Sequence, residues 1–305
     1  MTKLFGCEVS NGSHYKVYLF GFKLNILKPS IRNMSIDYSL YKNAADIPPA
    51  DGMLREIQLA ELSLLKIFDR FCQRKKLTYW LDFGTLLGAV RHKGFIPWDD
   101  DLDIGMPRED YERMISEIEK DSRLYCEFEF NGRNKCCAKV KHILSNNIFI
   151  DVFPYDFYNK ATDEQEKKKL HKKITGIINR LKYTPFTIKN PSRLRRKLTK
   201  ITNEEILQNK PKTGDTIFWG IDFPHERWKN RVYDTEKILP VKRIQFEDAE
   251  FPCPANPDFV LWNIYGAYME IPKNTYPKHS YIPEIDADRH RRIKELIKAG
   301  EKCAE

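Results

Sequence analysis

Residues 81–106 read LDFGTLLGAVRHKGFIPWDDDLDIGM, and the fold class turns on this stretch. An apolar, strand-like segment runs into the pair Gly84-Thr85, a loop follows, and a second strand-like segment carries acids. Asp99, Asp100, Asp101 and Asp103 fall within five residues. Like charges this close repel and raise one another's proton affinity unless a cation neutralises them. Residues two apart on a strand share a face, roughly 6.6 Å apart along its axis. Asp101 and Asp103 can therefore converge on one cation, with Leu102 and Ile104 on the opposite side and Asp100 alternating away. All-oxygen ligation suits Mg²⁺ or Mn²⁺. An EF-hand shares the first three ligand spacings but fails at its sixth position, which would be Ile104, and at its terminal Glu, which would be Asp110. The bland reading is a solvated acidic turn. The strand, the Gly–Thr turn and Trp98 beside the acids favour a site.

A third carboxylate lies downstream. Residues 148–153 read IFIDVF, an apolar strand with one charge, Asp151. It pairs as a hairpin with the preceding CCAKVKHIL through a turn at Ser145, Asn146 and Asn147. A lone Asp on such a strand is costly to bury unless paired or bound to metal; the alternative is an edge strand with Asp151 facing water. Lys139 and Lys141 share one face of the neighbouring strand, where either could clamp a phosphate or be an ordinary surface lysine. The backbone at Gly84 and Thr85 lets amides approach a phosphate. Arg91 and His92 fall on the loop between that turn and the acids, within reach of a diphosphate. Trp98 packs beneath the acidic loop in preference to stacking on a base.

An apolar strand, Gly-Thr, a loop, D-L-D-I and a distant I-D-V resemble the polymerase-β-like nucleotidyltransferase pattern. GTLLGAVRHKGFIPWDDDLDIGM is similar, more narrowly, to the signature of the LicD family, to which the fukutin-related proteins belong. FIDVFPYD and WNIYGAYMEIP resemble that family's second and third blocks, Ala267 departing from an expected acid. The resemblance spans residues 54–272. It implies transfer of a phospho-substituent, phosphocholine or a phospho-alditol, from a CDP-linked donor to a glycan or lipid-linked glycan, CDP-choline heading the donors. In that reading Asp101 and Asp103 ligate the metal, with Asp99 as a third ligand. Asp151 holds a second metal or accepts the acceptor's proton. Trp262 and Tyr265 could offer aromatic faces to a quaternary ammonium, although helical spacing favours core packing for Trp262.

Composition bounds the rest. The chain has 305 residues, 41% apolar and 31% charged, the profile of an ordinary globular protein. No apolar run approaches the roughly 20 residues of a membrane span, and no signal peptide is expected. The seven cysteines are scattered without a zinc-like C-x-x-C spacing, which fits a reducing cytoplasm. Sixteen Lys and Arg against five acids fall in residues 160–212. Their helical spacing fits a solvated helix or peripheral contact with an anionic membrane. No nucleic-acid-binding module accompanies them.

The expected fold is α+β. A nucleotidyltransferase-like core with a small mixed sheet flanked by helices occupies residues 51–158 and opens with an amphipathic helix at 54–76. Residues 1–50 form a decoration with a β-hairpin, 159–212 a basic helical insertion, and 213–305 an aromatic-rich C-terminal part of the same unit. There Pro252, Pro254 and Pro257 leave little regular structure before a helix at 258–265. Two other functions stay open: a nucleotidyltransferase that uses an NTP and releases pyrophosphate, and a catalytically silent scaffold of a glycan pathway. An unused cluster of acids destabilises a fold, which argues against the scaffold.

Overall fold

A computed structural model describes residues 5–10, 14–19, 22–27, 41, 43–131, 135–158, 165, 168–169, 172, 176, 213–220, 232–272 and 287–302. At the N-terminus, β1 (Phe5–Ser10), β2 (His14–Leu19) and β3 (Phe22–Leu27) form an antiparallel three-stranded sheet, one strand more than the expected hairpin. Ala44 and Ile47, assigned from sequence to the decoration, are buried.

The core begins with α1 (Gly52–Lys75). Its apolar residues recur at helical spacing, and Leu64, Leu65, Phe68 and Phe71 are fully buried. The helix stops where Lys76 turns left-handed (φ 53) and donates back to the carbonyls of Cys72 and Gln73. Then come β4 (Trp80–Leu81), α2 (Phe83–His92), β5 (Leu102–Pro107) and α3 (Arg108–Ile118). Pro107 immediately precedes α3, and Glu109 and Asp110 occupy its first turn, where acids favour the helix dipole.

β6 (Leu124–Asn131), β7 (Lys135–His142) and β8 (Ser145–Tyr158) follow as an antiparallel meander. The β7–β8 turn falls at Ile143 and Leu144, with His142 opposite Ser145. Ser145–Asn147 are therefore already strand, the correction to the expected turn. β8 is long enough to serve several partners: β7 beside its first half, β9 (Thr216–Trp219) beside its second, and β5 along its other edge. β10 (Val232–Asp234) pairs β9. The seven-stranded sheet is mixed, because β5 and β8 run parallel and the other pairings are antiparallel. A parallel neighbour requires a long crossover, here α3 with β6 and β7.

After α4 (Thr235–Ile238), β11 (Lys242–Phe246) and β12 (Ala249–Cys253) form a hairpin. The prolines do not prevent it: Pro252 sits in β12 opposite Arg243. α5 (Pro257–Tyr265) has Asn256 as its cap, the side chain accepting from Phe259 N–H. α6 (Ala287–Glu301) packs along α1, with Gly300 against Ser63. Of the basic stretch, Gln165, Lys168, Lys169, Lys172 and Gly176 are helical and exposed, and the rest of residues 159–212 lies outside the described residues. Among the described residues, no helix is long and apolar enough to cross a membrane.

Candidate active site

The strand that carries the acids begins at Leu102, so Asp99, Asp100 and Asp101 belong to the loop ahead of β5. Strand alternation therefore does not separate Asp100 from its neighbours. Each of the three contributes a carboxylate oxygen to a group lying within 4.8 Å of one another, where the sequence reading turned Asp100 away. The loop is fixed from two sides. Asp99 N–H donates to the carbonyl of Ile96 (2.9 Å), and Gln58, buried on α1, donates Nε2 to the carbonyls of Asp99 (2.9 Å) and Ile96 (3.2 Å). Gly84 is necessary here: a Cβ at this position would meet Asp99 Oδ2 at 2.7 Å. The Asp99 carboxylate thus sits directly against the first turn of α2.

Asp103 follows on β5, directly opposite Asp151 in the parallel pairing with β8. Burial holds the Asp103 carboxyl well above the usual carboxylate range, and Asp101, Asp151, Asp99 and Asp82 push it the same way. Its backbone N–H donates to Thr85 Oγ1 (2.8 Å), which ties α2 to the acidic strand. Gly84 and Thr85 lie in the first turn of α2. Lys139 stands opposite Asp151 on β7 and forms an ion pair with it at 3.0 Å. Its ammonium also lies 3.4 Å from the centre of the Phe149 ring. Lys141 shares that face but is engaged by Glu127 at 2.5 Å.

Arg91 and His92 are not on a loop: they form the last turn of α2. Arg91 is buried, and its guanidinium donates to the backbone carbonyls of Tyr268 (2.8 Å) and Glu270 (3.3 Å) and to His92 Nε2 (3.0 Å). It braces the segment after α5 against α2, with the Trp98 ring 5.9 Å away. Trp98 is half-buried against the core, as packing beneath the loop requires. Trp262 is not core: it is 63% exposed, and Tyr265 is 44% exposed. α5 uses Val260 and Leu261 for packing and leaves these rings outward.

Burial, and then the neighbouring Arg91 charge, lower the His92 imidazole to about 4. The folded state thus prefers neutral His92, so its contribution to stability is present above pH 6.5 and is lost as the pH falls toward 4. His92→Gln should relieve about 2 kcal/mol of acid destabilisation across that window, after allowance for the partial exposure of the ring. Denaturant unfolding of both proteins at several pH values tests this; parallel curves would exclude the role.

Four contributors carried no obvious sequence signal. Asp82 caps α2, accepting from Phe83 N–H (2.9 Å) and from the Tyr155 hydroxyl (2.6 Å). It holds Phe83 in the left-handed region (φ 42), a costly conformation for an aromatic residue. Glu247, at the tip of the β11–β12 hairpin, accepts from both terminal nitrogens of Arg55 (3.0 and 2.6 Å) and from Phe95 N–H (3.1 Å). It clamps the loop that leads to the acids. Gln58 and Glu61 are, with Ser63 and Asp69, the buried polar residues among the apolar ones of α1. Only Asp82, an aspartate directly before a helix, follows a recognisable pattern.

Residues 76–187 match the family model described as LicD/FKTN/FKRP, nucleotidyltransferase domain. The chain is 55% identical over 62 residues to the lipopolysaccharide cholinephosphotransferase LicD of Haemophilus influenzae, covering 20% of this chain and 23% of that one. It is 33% identical over 112 residues to a protein of Rickettsia prowazekii, covering 33% of this chain and 42% of the relative. It is 59% identical over 32 residues to the human ribitol 5-phosphate transferase FKRP, covering 10% of this chain and 6% of that one. The matches span less than half the length of each of these relatives. Residues 76–187 thus carry a LicD-type domain, and it is through this stretch that the chain is similar to LicD and FKRP.

Proposed function

We propose that the protein moves a substituted phosphate from a CDP-linked donor to a hydroxyl of a cell-surface or lipid-linked glycan and releases CMP. The observation that carries this reading is the meeting of Asp99, Asp100 and Asp101 beside the Asp103–Asp151 pair inside a LicD-family domain. The relatives named as cholinephosphotransferase and ribitol 5-phosphate transferase support the reaction class.

The donor set fits a hard divalent cation. It is all oxygen, anionic and crowded, and Glu61 nearby keeps a buried carboxylate oxygen without a hydrogen-bond partner. Asp99, Asp101 and Asp103 would hold Mg²⁺ or Mn²⁺, with Asp100 beside them. The bound ion would neutralise the phosphate oxygens and the charge developing on departing CMP.

The chain's own residues have separate tasks. The first turn of α2, where Gly84 lets the Asp99 carboxylate lie against the backbone, presents backbone N–H groups that favour negative charge. Lys139 balances Asp151 and offers an ammonium to the donor phosphate as that pair opens. Arg91, its Nη1 committed to the carbonyls of Tyr268 and Glu270 and its Nε to His92, acts as a brace in place of the expected phosphate clamp. Asp151 takes the proton of the acceptor hydroxyl as the new P–O bond forms and the bond to CMP breaks. Trp262 and Tyr265 suit a quaternary ammonium, which makes CDP-choline the first donor to try. The acceptor class and the basic stretch 160–212 are compatible with work at the cytoplasmic face of a membrane.

The test is release of CMP from CDP-choline, CDP-ribitol, CDP-glycerol and CDP-ethanolamine, with Mg²⁺ or with EDTA, in the presence of extracted glycolipid. Asp103→Asn serves as the blank. Metal-dependent CMP from one donor is the expected result. Pyrophosphate from an NTP with no CMP from any donor would replace this reading with the nucleotidyltransferase one.

A further inference from the structure

Glu61 lies in the middle of α1 and is 3% exposed, and its Oε2 has no hydrogen-bond partner. An unsatisfied buried carboxylate oxygen destabilises a fold. One turn earlier, Gln58 is fully buried and spans from the helix to the carbonyls of Ile96 and Asp99. Residues three apart share a helix face, so Glu61 faces the same acidic loop. Its electrostatic neighbours are Asp101, Asp100, Asp99 and Asp151, and burial together with those charges holds its carboxyl well above the usual range. An acid buried against four other acids does nothing for packing that Leu or Gln would not do better.

Glu61 falls outside the trio whose oxygens lie within 4.8 Å of one another. That separation suits contact through water, and Mg²⁺ characteristically keeps several of its waters. We propose that Glu61 is a positioning residue of the cation site, its free Oε2 accepting a hydrogen bond from a water in the shell of the ion held by Asp99, Asp101 and Asp103. The proposal rests on reading the acidic cluster as a cation site. It adds α1 to the elements that sense the ion and gives the unpartnered oxygen its ligand.

The experiment is Mn²⁺ titration of the full chain, followed by electron paramagnetic resonance and calorimetry, for the wild type, Glu61→Gln and Asp101→Asn. Glu61→Gln is expected to weaken Mn²⁺ binding about tenfold at unchanged stoichiometry, the scale of lost outer-shell partners. Asp101→Asn should bind none. Without metal, Glu61→Gln should melt at the same temperature as the wild type or higher, and Mn²⁺ should raise that temperature less. Wild-type Mn²⁺ affinity in Glu61→Gln, with a lower melting temperature, would make Glu61 a structural residue and overturn the proposal. A wild-type protein that binds no Mn²⁺ overturns instead the cation reading beneath it. If Glu61→Gln does not fold, Glu61→Asp keeps the charge but shortens its reach by one methylene, and is expected to weaken binding in the same direction. Failure of both variants to fold also assigns Glu61 to structure and overturns the proposal.

Discussion

Asp101→Asn is expected to lower transfer about a thousandfold or more, roughly 4 kcal/mol of lost transition-state stabilisation, while the chain stays folded. Asp101 is the last loop residue before β5, and its carboxylate belongs to the close trio with Asp99 and Asp100. The isosteric amide retains the shape and removes one negative charge from a cluster where charges repel. Less repulsion means an unchanged or higher melting temperature without metal. Asp101 is also the first charge, after burial itself, that pushes Asp103 upward, so the variant lets Asp103 ionise more readily. Turnover and thermal unfolding measured on one preparation separate chemistry from folding. Turnover within threefold of the wild type would remove Asp101 from the proposed reaction.

Asp156→Asn is expected to cost 3–5 kcal/mol of stability, about what removing one partner of a buried ion pair costs. Arg108, the first residue of α3, and Asp156, on β8, are 3% and 1% exposed and form a bidentate pair at 2.9 and 3.0 Å. Loss of the carboxylate removes the Asp156 charge from beside a buried guanidinium that cannot shed its own. The pair also joins the turn after β5 to β8, the two strands that carry Asp103 and Asp151. Its rupture should therefore weaken the site together with the fold. The double replacement Arg108→Met with Asp156→Leu is expected to recover most of the loss, because no charge is then left buried. Chemical denaturation of the two variants and the wild type decides the matter. A loss under 1 kcal/mol in Asp156→Asn would show that the interior there admits water.

Much of this architecture could be read from local pattern. The apolar spacing of α1, the strand that carries Asp103 and the hairpin that carries Asp151 each follow from periodicity within a dozen residues. Gly84-Thr85, by contrast, read as a turn into a loop but open the helix α2, and β6 has no counterpart among the expected elements. What escaped depends on contacts distant in sequence. Nothing local says that β5 and β8 run parallel, or that residues 103 and 151 stand opposite each other. Arg91 looked like a loop cation because its acceptors, the carbonyls of residues 268 and 270, belong to a segment whose docking no pattern encodes. Trp262 looked like core because helical spacing identifies a face without saying whether another element covers it. Gln58 and Glu61 were hidden by the strength of the apolar signal on the same helix. Strand alternation was extended over three residues that are not strand, which is how Asp100 was turned away from its neighbours.

Tyr158 and Thr216 are directly opposed at the junction of β8 and β9. The chain between them leaves and re-enters the sheet at a single point. The entropy of closing such an excursion grows only logarithmically with its length. Length added or removed between these two positions therefore costs the sheet that aligns the acids little closure entropy. The β5–β8 register that sets residues 103 and 151 opposite each other ends at Tyr155, ahead of that junction.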